Sequence, residues 1–179
     1  MPRIRIDLAY DGGSFCGWQL QKSDPTVQGL LESVLRELTG EASRVIGSGR
    51  TDSGVHALCQ TAHFDTGSRI PPEKFAPALN SRLPPEVRIL RSFQVDGDFH
   101  ARYSARRRIY HYRIIPAARQ TPFNASRALV LRRRPDCVLL NRLAAVLVGE
   151  HDFTVFAAAG DPSESKIRSI YGASFVPRR

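Results

Sequence analysis

Asp52 is a lone carboxylate in the string Gly49-Arg50-Thr51-Asp52-Ser53-Gly54-Val55-His56-Ala57, with an arginine two residues before it and a histidine four after. An aspartate in such a turn is usually only a turn former, because its side chain bonds its own backbone. The same acid can be a nucleophile if it is presented to a substrate, and the Ser53-Gly54 turn lets backbone approach a ligand closely. The choice between these readings rests on what surrounds the string.

The elements that would position it follow from apolar spacing. Ile4, Ile6, Leu8 and Tyr10 alternate with polar or small residues, which predicts a strand with one buried face. Asp11-Gly12-Gly13-Ser14 ends it as a turn. Val27, Leu30, Leu31, Val34, Leu35 and Leu38 form a helical stripe that should lie on a sheet, with Asp24 as N-cap, Pro25 at the first helical position and Gly40 at the exit. Short strands are expected at Arg44–Ile46 and Cys59–Asp65, on either side of the Asp52 turn. A short helix from Pro71 ends near Asn80, and strands follow at Val87–Phe93, Arg108–Ile115 and Ala128–Leu131. A third helix is expected over Asp136–Gly149, a mobile loop over Ala157–Ser165 and a last strand over Ile167–Val176. Trp18 and Tyr112 are expected in the core. Strands and helices mix without strict βαβ alternation, so the fold class is α+β: a mostly antiparallel sheet with helices packed on one face.

A chain of 179 residues allows one large domain or two small ones with a real core. At 42% hydrophobic and 24% charged residues the composition is that of an ordinary globular protein. Net charge is +9, and the only lysines are Lys22, Lys74 and Lys166. Eleven arginines between Arg91 and Arg134 face only Asp96 and Asp98. Coding bias explains arginine over lysine, but not a local shortage of acids; this stretch reads as a surface for a polyanion. Cys16, Cys59 and Cys137 are far apart and odd in number, which fits reduced, packed thiols and neither a disulfide framework nor a zinc site. No histidine pair has metal-ligand spacing. No apolar run is long enough to span a bilayer, and the N-terminus reads as a strand with no signal peptide, so a cytoplasmic location and no membrane partner are expected.

Six stretches, in order, resemble the TruA family of tRNA pseudouridine synthases. Tyr10-Asp11-Gly12, Phe15 and Gly17-Trp18-Gln19 resemble its Y-D-G-x-x-F-x-G-W-Q opening, and Thr26-Val27-Gln28-Gly29 the start of its first helix. The Asp52 string is similar to its G-R-T-D-x-G-V-H-A signature. Asn80 with Leu83-Pro84, the run Phe99-His100-Ala101-Arg102-Tyr103-Ser104-Ala105 with Tyr110 and Tyr112 after it, and Gly149–Phe156 complete the series. The resemblance implies a pseudouridine synthase fold, an isomerase and a cytoplasmic homodimer. Its substrate would be tRNA, at uridines on the 3′ side of the anticodon stem-loop (tRNA positions 38–40). Breaking a glycosidic C–N bond and forming a C–C bond to the same ribose gains no atoms and involves no redox, so no cofactor or metal is required. By resemblance Asp52 is the catalytic nucleophile, and Tyr110 sits against the uracil and takes part in proton transfer.

Arg50 could pair with a phosphate, with Asp52 or with a backbone carbonyl, and His56 could touch RNA or cap the turn; both are candidate substrate-binding residues. Arg102, Arg106, Arg107 and Arg108 are the candidate RNA contacts, which position a nucleic acid without reading its sequence. The halves are expected at 1–105, carrying Asp52, and 106–179. TruA proteins continue into a further strand and an F-x-x-x-M-V-R helix whose arginine pairs with the catalytic aspartate. Here the only methionine is Met1. The second half is therefore expected to be incomplete, and the alternative reading is a noncatalytic tRNA-binding protein or an inactive fragment.

Overall fold

The alternation over Arg3–Tyr10 builds strand β1, the centre of the first unit. After it come α1 (Val27–Thr39), β2 (Ile46–Gly47), β3 (Ala57–Asp65), α2 (Phe75–Asn80) and β4 (Val87–Val95). The computed structural model describes residues 1–157 and 165–177. It divides into two compact units, Met1–Tyr110 and His111–Arg179.

In the first unit the sheet order is β2-β3-β1-β4, antiparallel throughout. Because side chains alternate across a strand, Ile4, Ile6, Leu8 and Tyr10 share one face and are buried. Val27, Leu31, Val34 and Leu35 of α1 belong to the same core, with Phe75 and Leu79 of α2. Asn80 pins α2 to β4: its amide donates to the Ile89 carbonyl and accepts from the Ile89 N–H, both at 2.8 Å. The helix starts two residues later than expected. Thr26, not Asp24, is the N-cap, because its backbone is extended and its hydroxyl accepts from Gly29 N–H.

The other face of the sheet is polar and organised around a buried carboxylate. Asp7, opposite Thr61 in the register, accepts from the Thr61 hydroxyl at 2.7 Å and from the guanidinium groups of Arg5 and Arg91. Burial raises its pKa, but those three donors outweigh burial and hold it below the usual carboxylate value. Next to it, buried His63 accepts from Ala101 N–H and so holds the Phe99–Ser104 stretch on the sheet.

The second unit contains β5 (Ile114–Pro116), β6 (Leu129–Leu131), α3 (Cys137–Ala145), β7 (Gly149–Asp152) and β8 (Ile167–Ile170). Asp136 caps α3 by accepting from Val138 and Leu139 N–H. β7 and β8 pair antiparallel, and β5 and β6 are a parallel exception to the mostly antiparallel pattern.

Several sequence expectations shrink here. The strand expected over Arg108–Ile115 is confined to Ile114–Pro116, because 108–113 has no strand pairing among the described residues. Tyr112, expected in the core, is 87% exposed for the same reason. The strand expected at Arg44–Ile46 is Ile46–Gly47, the third helix ends at Ala145, and the last strand ends at Ile170. Trp18 is buried as expected, whereas Cys59 is an exposed thiol. The loop expected at Ala157–Ser165 lies almost wholly outside the described residues.

Candidate active site

The Asp52 loop is a reverse turn closed by its own backbone. Val55 N–H donates to the Asp52 carbonyl at 3.2 Å, and Gly54 takes φ +76°, the left-handed conformation that a type II turn needs at its third residue. The carboxylate is therefore not needed to close the turn. It is exposed, and among the described residues it accepts no hydrogen bond and has no cation within 4 Å. The plain turn-former reading requires a side chain bonded to its own backbone, and this one is not.

The loop is gripped by the stretch that follows β1. Trp18 N–H donates to the Thr51 carbonyl at 3.0 Å, and Gly54 N–H donates to the Phe15 carbonyl at 3.2 Å. The Tyr10 and Thr51 hydroxyls lie 2.9 Å apart. Burial pushes the Tyr10 phenol pKa up, so it serves that pair as a neutral O–H group. Two glycines make the grip possible. A Cβ at Gly12 would stand 2.0 Å from the Val55 carbonyl oxygen, and one at Gly17 would stand 2.6 Å from the Thr51 carbonyl oxygen. Gly17 also has φ +94°, which an L side chain rarely adopts. Sequence reasoning placed Tyr10 on a buried strand face, Gly12 in a turn and Trp18 in the core, but gave none of these, nor Phe15 or Gly17, a part in holding the Asp52 loop. Closely spaced glycines around one aromatic cluster were the available signal for close backbone contact.

His56 closes the same contact from the other end of the string. Its Nδ1 lies 2.9 Å from Asp11 Oδ1 and 3.1 Å from Gly12 N. One nitrogen cannot serve both: protonated, it donates to Asp11; bare, it accepts from Gly12 N–H. In either form it ties the Asp52 string to the turn after β1. Arg50 is exposed, and the structure gives it no ion pair among the described residues.

Of the remaining candidates, Tyr110 is 71% exposed. Arg102 lies over the Tyr103 ring at 5.7 Å, and Arg106 and Arg107 are exposed. Arg108 is committed to the protein itself: its Nη2 donates to the Ser48 carbonyl at 2.6 Å, at the entrance to the Asp52 string. The structure thus brings His56 and Arg108 against the loop. Among the described residues no group of three or more His, Cys, Asp or Glu could hold a metal ion, and no helix is long and apolar enough to cross a membrane.

A family model described as tRNA pseudouridine synthase matches residues 8–104, which include the gripped loop and the stretch that grips it. The chain belongs to the tRNA pseudouridine synthase family. It is 44% identical over 171 residues to a protein of Halalkalibacterium halodurans named tRNA pseudouridine synthase A, covering 95% of this chain and 65% of the relative. A protein of the same name from Clostridium botulinum is 39% identical over 170 residues, with 70% of its length covered. One from Brevibacillus brevis is 44% identical over 174 residues, with 71% covered. The chain thus spans about two thirds of the length of these synthases. The first unit is the part of this synthase-family chain that carries the Asp52 loop, and its antiparallel sheet with helices on one face has the α+β architecture expected of the family.

Proposed function

We propose that this chain isomerises uridine to pseudouridine in tRNA, with Asp52 as the nucleophile. The observation that carries the reading is the state of Asp52. Its turn is closed by backbone alone, and its carboxylate is exposed and accepts no hydrogen bond among the described residues. Nothing lies within 4 Å of where a Cβ would sit on Gly54, so a nucleotide can approach the turn backbone on that side. Family membership supports the same assignment.

The reaction needs a uridine taken out of its stack. Bond breakage at the ribose carbon releases the uracil, which turns and re-bonds through carbon; the carbon gives up its proton and the freed nitrogen gains one. Atoms and electrons balance within the substrate, and the protein supplies a carboxylate to engage the intermediate. Tyr110 sits against the base and takes part in proton transfer. Arg50 and His56 border the bound nucleotide, and Arg102, Arg106 and Arg107 face the RNA backbone, while Arg108 is bound to the Ser48 carbonyl. The anticodon stem-loop target, a homodimer and a cytoplasmic location belong to the same reading, which invokes no cofactor.

The test is pseudouridine content. The purified chain and Asp52→Asn are incubated with an unmodified tRNA transcript, which is digested and its nucleosides separated, since product and substrate have equal mass. Pseudouridine from the parent and none from the variant is the expected result. A folded parent that binds tRNA and makes none would leave the alternative, a noncatalytic tRNA-binding protein.

A further inference from the structure

Taking Asp52 as nucleophile and Tyr110 as its companion against the base, we infer that Arg108 is a positioning residue: it docks the segment carrying Tyr110 onto the loop carrying Asp52. This goes beyond a phosphate contact and rests on the proposed function only for its catalytic consequence. The Arg108 Nη2 donates to the Ser48 carbonyl at 2.6 Å across 60 residues of sequence. Its Nε runs beside Gly49, 3.5 Å from where a Cβ would sit, so the guanidinium lies along the backbone that leads to Asp52.

The two ends of this bond differ in rigidity. Ser48 is fixed by its own N–H, which donates to the Thr61 carbonyl of β3 at 2.8 Å. Residues 105–110 have no regular structure, Tyr110 is 71% exposed, and neither a strand ladder nor the core holds them. A tether two residues before Tyr110, attached four residues before Asp52, limits where the two reacting groups can stand relative to each other. A charged donor on a carbonyl also makes a stronger bond than a neutral one. Arg106 and Arg107 are exposed and make no hydrogen bond or ion pair among the described residues, which leaves their forks for phosphate.

The full chain is compared with Arg108→Ala, Arg108→Lys and Arg106→Ala in three measurements. Amide exchange at Ser48, Gly54 and Val55, all hydrogen-bonded, reads the hold on the loop without needing turnover, and β1 amides serve as the folding reference. Arg108→Ala is expected to speed exchange at these sites about three- to tenfold, the scale of one exposed hydrogen bond. Arg108→Lys should restore part of the protection, and Arg106→Ala should leave it unchanged. The salt slope of tRNA binding should hold in Arg108→Ala and fall by about one in Arg106→Ala. Single-turnover pseudouridine formation at saturating tRNA should drop roughly 10- to 100-fold in Arg108→Ala at unchanged Kd, as expected for misplaced groups. Unchanged loop exchange with a salt slope lowered by about one in Arg108→Ala overturns the inference and makes Arg108 a phosphate contact. If the parent itself makes no pseudouridine, the proposed function fails, while exchange and salt slope still decide the role of Arg108.

Discussion

Gly12 and Val55 meet backbone to backbone, so closely that a Cβ on Gly12 would stand 2.0 Å from the Val55 carbonyl oxygen. No flexible side chain is available there to give way. Gly12→Ala must displace either the turn after β1 or the Asp52 loop. It is expected to cost about 1–3 kcal/mol and to remove pseudouridine formation. Gly54→Ala meets open space but keeps an unfavourable φ of +76°, at a cost of roughly 1–2 kcal/mol. Urea unfolding of both variants checks the order. A Gly12→Ala protein as stable as the parent would mean that the two backbones are not in contact.

Asp52→Asn should separate function from stability. The carboxylate is exposed and supports no hydrogen bond among the described residues, so the unfolding free energy should stay within about 0.5 kcal/mol of the parent. Pseudouridine formation should vanish. A large loss of stability would instead make Asp52 a structural residue.

His63 makes stability fall on mild acidification. Burial, then the charges of Arg3 and His100, lower its pKa from 6.5 to about 4. The folded protein thus keeps His63 neutral where the unfolded chain has begun to protonate. Its contribution is complete above about pH 6.5 and is lost as pH falls from there toward 4. Protonation would also place a proton on the Nδ1 that accepts from Ala101 N–H. Between pH 7 and pH 5 the loss should be roughly 1–2 kcal/mol. His63→Gln, which keeps an acceptor and does not titrate, should flatten that part of the curve; an unchanged slope would refute the assignment.

Asp7 acts lower on the pH scale. Its folded pKa lies below the ordinary carboxylate value of 3.8, so its contribution is present above that value and is lost as pH falls through the folded pKa. Asp7→Ala leaves Arg5, Arg91 and the Thr61 hydroxyl without their shared acceptor. Because the Arg91 side chain is 64% exposed and can turn to water, the expected cost is about 2 kcal/mol, below that of a fully buried pair. Arg91→Ala should cost about 1 kcal/mol or less. Denaturant titrations at pH 7 check the ranking, which fails if Arg91→Ala is the worse of the two.

Where local pattern and tertiary context agree, the sequence was readable. Six apolar positions at helical spacing placed α1, and alternation placed β1, because both patterns have a single buried face. Arg108–Ile115 shows the opposite case. Its aromatic and β-branched content favours a strand, but a strand needs a partner backbone, and only Ile114–Pro116 has one among the described residues. Asp24 and Thr26 are both good caps by type, and the hydroxyl that reaches Gly29 N–H decided between them.

The sequence by itself determined the residue string around Asp52, the basic excess, the α+β class and the family. Each depends on residue identity and near-neighbour spacing. Tertiary structure alone decided how that string is held. The stretch from Tyr10 to Trp18 grips the Asp52 loop, Arg108 reaches Ser48 from 60 residues away, and Asp7 lies buried beneath two arginines. These are contacts between segments far apart in the chain. Their partners are set by register and packing, which no local pattern of residue types encodes.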